Sequence, residues 1–170
     1  DGKEPSSQAM NLMDKDFVLH ADHGSNASAF TARVVAGTAA DIHGAVTAGI
    51  AALSGPSHGG AAENVMQMAK EIGTADRAAD YVQNLLTNRE RVMGFGHRVY
   101  KAEDPRAGHL REGVKNLSEE MGQPEWYQIL EAVVEAMKPY ARRGIHVNVD
   151  FFAGVIYYLN GIPQDLFVPI

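Results

Sequence analysis

The spacing of apolar residues predicts a chain built mostly from helices. Over residues 61–72 and 76–92, apolar side chains recur at intervals of three and four, which is the pattern of a helix with one buried face. Two more helices are expected over residues 108–121 and about 125–143, with Pro139 as a site for a kink in the second. The fold class predicted from this pattern is mostly α.

The flanking segments have less regular patterns. A short helix is expected from about Ser6 to Met13 behind a serine cap. Residues 28–53 are rich in small residues and lack proline, so they predict one long helix or two abutting helices that pack closely. Residues 151–159 are apolar throughout and fit either a helix or a strand. Asp150 at their start is typical of an N-cap as well as of a functional carboxylate.

Composition limits the partners of the protein. The 170 residues are 45% hydrophobic and 21% charged, which is enough to bury a real core in one domain or one and a half. A formal charge of -6 argues against nucleic acid or an anionic membrane as a partner. Charged residues interrupt the long small-residue segment, so it does not predict a membrane span. The absence of cysteine excludes disulfides, thiolate catalysis and Cys-ligated zinc.

The ends of the sequence predict a piece of a larger protein. The chain starts without methionine or a leader pattern and ends inside the apolar run of residues 166–170. We expect N-terminal and C-terminal parts to be missing, and we expect a cytoplasmic location.

A glycine-rich loop carries the densest polar chemistry. Residues 94–101 read Gly-Phe-Gly-His-Arg-Val-Tyr-Lys, in which two glycines allow close approach of a ligand and His97 follows them directly. Arg98 and Lys101 suit phosphate groups, and Arg106 after a proline suits a carboxylate. The loop predicts a site for a small carboxylate and a phosphorylated carrier. The open alternative is a surface loop with solvated cations.

Histidines elsewhere in the chain leave alternatives open. His20 and His23 have metal-ligand spacing on a helix, with Asp22 or His43 as a third ligand. Without a His-Glu-x-x-His pattern we favour ligand-binding or core histidines and expect no metal. His58 precedes a predicted helix, and a helix N-terminus disfavours the imidazolium, so we expect this ring to be neutral and to donate a hydrogen bond to a developing enolate oxygen.

Residues 55–59, Gly-Pro-Ser-His-Gly, also match the nucleophile elbow of serine hydrolases, with Ser57 as nucleophile. An elbow follows a strand, whereas the preceding run predicts a helix, and Pro56 occupies the strained turn. This alternative is therefore the weaker one.

Four stretches together resemble the citrate synthase family. They are residues 19–23 with Asn26, residues 55–61, residues 94–106 and residues 148–150. Their order and spacing resemble the bacterial and archaeal enzymes over essentially the whole chain. The resemblance implies a multi-helical fold with a small domain and part of a large domain. It also implies an acyltransferase of the tricarboxylic acid cycle that condenses acetyl-CoA with oxaloacetate and water to citrate and CoA.

The resemblance further implies how the chain is divided. Residues 1–58 would be part of the large domain, residues 59–150 the small domain that closes over substrate, and residues 151–170 a return into the large domain. The full protein would be a homodimer that needs no cofactor, because acetyl-CoA is a substrate. Since part of the site is missing, we expect this chain alone to be inactive.

Roles for individual residues follow from motif position in that family. Asp150 would take a proton from the acetyl methyl while His58 donates a hydrogen bond to the thioester oxygen. His97 would polarise and protonate the oxaloacetate carbonyl. The residues implied to bind oxaloacetate are His23, Asn26, His97 and Arg106. The residues implied to bind CoA are Gly94, Phe95, Gly96, Lys101, Arg143 and Asn148.

Two further alternatives remain at this stage. A 2-methylcitrate synthase would use propionyl-CoA with the same motifs, and one methylene is discriminated by only about 10- to 200-fold. A non-enzymatic helical interaction module remains an alternative for the fragment.

Overall fold

The structure is a computed structural model that describes residues 4–21, 26–55, 58–97, 99–168 and 170. These residues form eight α-helices and three short 3-10 helices, which confirms the mostly α fold class. The α-helices are α1 (Ser7–His20), α2 (Ala27–Gly37), α3 (Ile42–Leu53), α4 (Ala61–Ile72), α5 (Ala78–Thr87), α6 (Pro105–Glu120), α7 (Glu125–Met137) and α8 (Asp150–Leu159). The 3-10 helices are Ala75–Arg77, Lys138–Arg143 and Gln164–Leu166.

Capping residues set the starts of several helices. The Ser6 hydroxyl accepts a hydrogen bond from the Ala9 N–H at 3.1 Å, which confirms the predicted serine cap. The carboxylate of Asp41 caps α3 in the same way through the Gly44 N–H, at 2.8 Å. Asp41 thereby divides the predicted segment 28–53 into α2 and α3, two abutting helices rather than one.

Helix boundaries differ from the predictions at four places. The helix predicted to end at Met13 continues to His20, because polar side chains on its buried face interrupted the apolar pattern. The helix predicted over 76–92 opens as a 3-10 turn and ends at Thr87. The helix predicted from residue 108 starts at Pro105, where the fixed φ of proline suits the first turn. The helix predicted to reach residue 143 becomes a 3-10 helix at Lys138, next to Pro139.

The core is organised around α8. A helix that is apolar on all sides must be buried, and Phe151, Phe152, Val155 and Ile156 on α8 are each at most 1% exposed. Helices α4, α6 and α7 pack around it. Residues 151–159 therefore form a helix rather than a strand, and the first turn of this central helix carries Asp150.

Helices α2 and α3 pack against each other and expose apolar side chains. Within the described part of the chain, the exposed fractions of these residues lie between 51% and 73%. The residues are Phe30, Val34, Ile42, Val46 and Ile50. Several large exposed apolar residues on two packed helices are typical of a surface that another polypeptide covers. None of the described helices is long and apolar enough to cross a membrane.

The contact between α4 and α8 depends on Gly154. A Cβ atom added there would overlap the backbone carbonyl oxygen of Ala62, and a backbone atom inside two packed helices cannot move aside cheaply. We therefore expect Gly154→Ala to lower the free energy of unfolding by about 1–3 kcal/mol.

The matched control for Gly154→Ala is Gly108→Ala, where an added Cβ on α6 meets nothing within 4 Å. That change should be neutral or stabilise by up to about 1 kcal/mol through helix propensity. Urea unfolding at one fixed protein concentration compares the two variants. Equal stability of both variants would contradict the close approach at Gly154.

Candidate active site

Asp150 is the first residue of α8, and Val149 occupies the N-cap position. The capping alternative for Asp150 is therefore wrong. Burial raises the pKa of the Asp150 carboxyl, and the positive charges of His20 and Arg106 offset part of that rise. The carboxylate is thus a stronger base than an ordinary aspartate, enclosed and facing cations, which are the properties that a general base needs.

Arg106 is held in place by Asp104. Its Nε donates to Asp104 Oδ1 at 3.0 Å, and its Nη2 donates to Asp104 Oδ2 at 2.7 Å. The buried Asp104 carboxylate also accepts the backbone N–H groups of Arg106, at 3.0 Å, and of Val149, at 3.2 Å. Asp104 therefore joins the first turn of α6 to the start of α8 and orients the guanidinium beside Asp150.

The balance of forces at Asp104 favours its charged form. Burial works to raise the pKa of the Asp104 carboxyl, but the hydrogen bonds and charge of Arg106 outweigh burial, and the pKa lies below its ordinary value. No role for Asp104 was predicted from the sequence. The signal for it was the Asp-Pro pair, which is typical of a capped helix start.

His97 has its tautomer fixed by the loop that carries it. Its Nδ1 accepts hydrogen bonds from the N–H groups of Val99, at 3.1 Å, and Tyr100, at 3.2 Å. Since backbone N–H groups only donate, Nδ1 must present a lone pair, and the ring hydrogen lies on Nε2. Arg106 Nη2 is 3.4 Å from that Nε2, and the ring of Tyr100 lies at a centroid distance of 4.7 Å. The structure therefore brings His97, Arg106 and Asp150 together.

His58 is fixed by an equivalent arrangement at the start of α2. Its Nε2 accepts the Ser28 N–H at 3.2 Å, so its ring hydrogen lies on Nδ1. The Ser28 hydroxyl, 3.1 Å from the same Nε2, donates to the side-chain oxygen of Asn26 at 2.6 Å. Asn26 caps α2 and binds the hydroxyl of Ser28, the residue that contacts His58. Ser28 was not predicted from the sequence to belong to the site.

Helix α4 connects His58 to a contact with α8. Helix α4 starts three residues after His58 and crosses α8 at Gly154, one turn beyond Asp150. The His58 group and the Arg106 group are therefore carried by different elements that meet on α8.

The glycine loop is joined to the segment before α8 by backbone hydrogen bonds. The Gly94 carbonyl accepts from the Asn148 N–H at 2.9 Å, and the Gly96 N–H donates to the His146 carbonyl at 2.7 Å. The Asn148 side chain donates to the Gly96 carbonyl at 3.0 Å. In this antiparallel arrangement the N–H and C=O of Phe95 face away from the paired strand segment, toward the outer side of the loop. Asn148 thus supports the loop. The N–H and C=O of Phe95 are left in a position suited to hydrogen bonds with a nucleotide base.

Gly94 allows this loop to rest directly on α8. Its φ is +77°, and an added Cβ would lie 2.5 Å from the ring of Phe151. Any larger residue would push the loop away from the helix that carries Asp150.

Lys101 and Arg143 lie on neighbouring exposed segments. A Cβ added to Gly144 would be 3.6 Å from the Lys101 carbonyl oxygen, so the two backbones are adjacent. The Arg143 guanidinium is 5.9 Å from the Tyr140 ring centre. The two cations form an exposed basic edge beside the glycine loop, which suits phosphate groups.

A buried polar group on α1 was not predicted. Asp16 is fully buried and accepts a hydrogen bond from the Tyr157 hydroxyl on α8 at 2.7 Å. His20 lies one turn further along α1, and its Nδ1 is 3.3 Å from Asp16 Oδ1. The signal in the sequence was their spacing from Leu12, which places both residues on the buried face of α1.

Several predicted residues lie outside the described residues. They are Asp22, His23, Pro56, Ser57 and Arg98. The proposed metal pair of His20 and His23 requires both residues to lie on one helix. Among the described residues, helix α1 ends at His20. The oxaloacetate-binding role of His23 and the metal-free site remain predictions.

Comparisons with known proteins agree over the whole chain. The family model "Citrate synthase, C-terminal domain" matches residues 1–170. Citrate synthase 2 of Bacillus subtilis is 46% identical over 99% of this chain and 45% of that protein. 2-Methylcitrate synthase 2 of Corynebacterium glutamicum is 42% identical over 99% of this chain and 45% of its own length.

A solved structure agrees as well. It is the ternary complex of citrate synthase from Thermoplasma acidophilum with carboxymethyl coenzyme A and oxaloacetate, with a TM-score of 0.88 and 32% identity over 98% of this chain and 45% of that chain. The chain thus spans about half the length of the relatives it matches. With a family model that covers every residue and a helical fold that superimposes on a solved member, this chain belongs to the citrate synthase family.

Proposed function

We propose that the protein containing this chain is a citrate synthase, which condenses acetyl-CoA with oxaloacetate and water to give citrate and CoA. The observation that carries this proposal is the enclosed Asp150 carboxylate beside His97 and Arg106. The citrate synthases among its relatives, and the solved complex with oxaloacetate and a CoA analogue, support the same chemistry.

The first step is removal of a proton from the acetyl methyl group. Such a proton is too weakly acidic for a carboxylate unless the developing enolate oxygen is stabilised at the same moment. Asp150 takes the proton, and burial of its carboxyl makes it a stronger base. The Nδ1–H of His58, fixed by the Ser28 N–H, donates to the thioester oxygen. The product is an enol or enolate of acetyl-CoA.

The second step forms the carbon–carbon bond. The nucleophilic methylene attacks the ketone carbon of oxaloacetate, and the ketone oxygen takes the proton from His97 Nε2 and becomes the hydroxyl of the citryl group. The ring is left as an anion that the Val99 and Tyr100 N–H groups at Nδ1 stabilise, and it regains a proton from solvent as Asp150 releases the methyl proton to solvent. Arginine has five N–H donors, and Asp104 engages only two nitrogens of the Arg106 side chain, so the guanidinium can bind an oxaloacetate carboxylate as well. Water then hydrolyses the citryl thioester and releases CoA.

The remaining contacts come from the glycine loop and the polypeptide beyond this chain. Phe95 and the adjacent glycines suit the adenine of CoA. The basic edge formed by Lys101 and Arg143 suits the CoA phosphates. His23 and Asn26 assist in holding oxaloacetate. We propose that no metal or cofactor takes part, that residues 59–150 form the closing domain, and that the protein works in the cytoplasm. Catalysis requires the parts of the protein that this chain lacks.

A 2-methylcitrate synthase is the second candidate, because a relative with that name is 42% identical. The serine-hydrolase alternative is not favoured, because helix α3 precedes the Ser57 segment where an elbow requires a strand.

The first test is thiol release from acetyl-CoA and propionyl-CoA, each with oxaloacetate. We expect the complete protein to release CoA from acetyl-CoA with a kcat/KM about 10- to 200-fold above that for propionyl-CoA, since a pocket discriminates one methylene by that amount. We expect this chain alone to release none. The reversed preference would indicate a 2-methylcitrate synthase, and no release from either donor by folded complete protein would contradict the proposal.

The second test removes the general base. We expect Asp150→Asn in the complete protein to lower kcat by about 10²- to 10⁴-fold, since the amide cannot accept the methyl proton. The stability should not fall, because burial disfavours the ionised carboxylate that is removed. The control is Asp165→Asn, which removes an exposed carboxylate after the same helix and should keep wild-type kcat. A kcat within about threefold of wild type for Asp150→Asn would exclude it as the base.

We also propose that a second copy of the protein covers the exposed face of α2 and α3. We expect Ile50→Asp, on that face, to shift the complete protein from dimer to monomer, because the charge would be buried without a partner. Met121→Asp is the control, since Met121 is similarly exposed at 45% beyond α6. Sedimentation velocity measures both, and an unchanged dimer for Ile50→Asp would place the interface elsewhere.

A further inference from the structure

Asp16 is a fully buried carboxylate to which the proposed reaction assigns no role. Burying a charge is costly unless it is paired and hydrogen-bonded. One oxygen of Asp16 accepts the Tyr157 hydroxyl at 2.7 Å, and the other lies 3.3 Å from Nδ1 of His20. The carboxylate therefore has a hydrogen-bond partner on α8, whereas Oδ1 makes no hydrogen bond among the described residues and its contact with His20 is electrostatic.

The protonation of His20 follows from its contacts. Its Nδ1 is 3.0 Å from the backbone carbonyl oxygen of Asp16, and since a carbonyl only accepts, Nδ1 carries a hydrogen. A second proton can bind only at Nε2, which is enclosed and has no hydrogen-bond partner among the residues that the structure describes. Burial works to lower the pKa of His20, but the hydrogen bonds and charge of Asp16 outweigh it, and the pKa is raised. Asp16 thus favours the imidazolium form of the ring relative to an ordinary histidine.

The packing of α1 on α8 brings this cation to Asp150. Asp16 pairs with Tyr157, which is seven residues, or about 10 Å of helix, beyond Asp150 on α8. His20 is one turn beyond Asp16 on α1 and interacts electrostatically with Asp150. The Asp16–Tyr157 pair precedes the His20–Asp150 pair along α1 but follows it along α8. This order is expected when two helices pack antiparallel, with the Asp16–Tyr157 hydrogen bond as their anchor.

We propose that Asp16 keeps His20 charged beside Asp150, and that this cation holds the enclosed Asp150 carboxylate in the ionised form that removes the methyl proton. Asp16 and His20 are then positioning residues, since they act through Asp150. The inference rests on the proposed function, because it assumes that Asp150 is the base.

The other groups around this pair limit the size of the effect. Besides Asp16, His20 interacts electrostatically with Asp150, and the Tyr157 hydroxyl on α8 donates to Asp16. Asp150 also interacts with Arg106 and Asp104 at the start of α6 and with His97 in the preceding loop. Since Arg106 remains charged when His20 loses its charge, we expect a displaced pH dependence rather than loss of the reaction.

The sign of the displacement follows from the charges. Loss of the Asp16 charge leaves His20 neutral over more of the pH range, and Asp150 then binds its proton at higher pH. In the complete protein we expect Asp16→Asn to move the acidic limb of the kcat–pH profile upward by about one pH unit, with the high-pH plateau within about threefold of wild type. His20→Gln should give the same shift. The double variant should shift no further, because both changes remove one interaction.

Two controls separate this role from a structural one. Asp14→Asn removes a carboxylate from the exposed side of α1 and should leave the limb in place. Tyr157→Phe removes the hydrogen bond between the helices but keeps the Asp16 charge, so it should lower the melting temperature and shift the limb by less than Asp16→Asn. If Tyr157→Phe shifts the limb as far as Asp16→Asn does, or if the single-variant shifts add in the double variant, the proposal is overturned.

An NMR titration of the His20 ring tests the charge without relying on activity. We expect Asp16→Asn to lower the titration midpoint of His20 by about one pH unit and Asp14→Asn to leave it unchanged. If the complete protein releases no CoA but the His20 midpoint shifts as expected, the proposed function fails while the Asp16–His20 pairing holds. If CoA is released and neither the midpoint nor the acidic limb moves, the inference itself is wrong.

Discussion

The Asp104 carboxylate is the interaction on which the geometry of the candidate site most depends. It binds the side chain and backbone of Arg106 and also the backbone N–H of Val149, the residue before Asp150. One buried anion thereby fixes the first turn of α6 relative to the first turn of α8. Breaking a buried pair of this kind typically costs about 3–5 kcal/mol, because the remaining charge stays buried. The position of the proposed base relative to Arg106, which we propose binds a substrate carboxylate, is therefore set by a strong contact.

Hydrogen bonds from the backbone hold the rings of His58 and His97 in place. Backbone N–H groups bind one ring nitrogen of His97 and one of His58, and each contact selects the tautomer that carries hydrogen on the opposite nitrogen. Because backbone atoms move less than side chains, both rings are oriented before substrate binds. Preorganised donors of this kind stabilise a developing oxyanion without reorganisation during the reaction. Gly94 and Gly154 also help to fix the site, because each lets a neighbouring segment lie directly against α8.

The sequence predicted the fold where apolar periodicity was uninterrupted. The bounds of α4 match the prediction because its apolar residues all lie on the buried face. Helix α1 was predicted too short because Asp16 and His20 occupy buried positions with polar side chains, and their partners come from residues far along the chain. The division between α2 and α3 depended on a single cap, Asp41, within a segment of uniform composition.

Motifs in the sequence predicted the residues that we propose to act on substrate, and these roles stay predictions, whereas no motif indicated the residues that support them. Asp104 and Ser28 lie inside or beside the motifs, yet their roles depend on contacts with Val149 and His58 that only the folded chain creates. Polar residues that bind one another across helices leave no periodic signal, because the pairing is tertiary.

The electrostatics of Asp150 combine two opposed requirements. A carboxylate removes a weakly acidic proton better when burial raises its pKa, but the same burial favours the protonated form, which cannot act as a base. Cations at a short distance resolve this conflict, because they stabilise the ionised carboxylate without hydrating it. Arg106 approaches from α6 and His20 from α1, so the charge on Asp150 is supported by separate elements. The buried anions Asp104 and Asp16 are each paired with one of these cations, Arg106 and His20, so the positive groups are themselves held in place. The charges therefore alternate in sign outward from Asp150, and the two cations favour its ionised form.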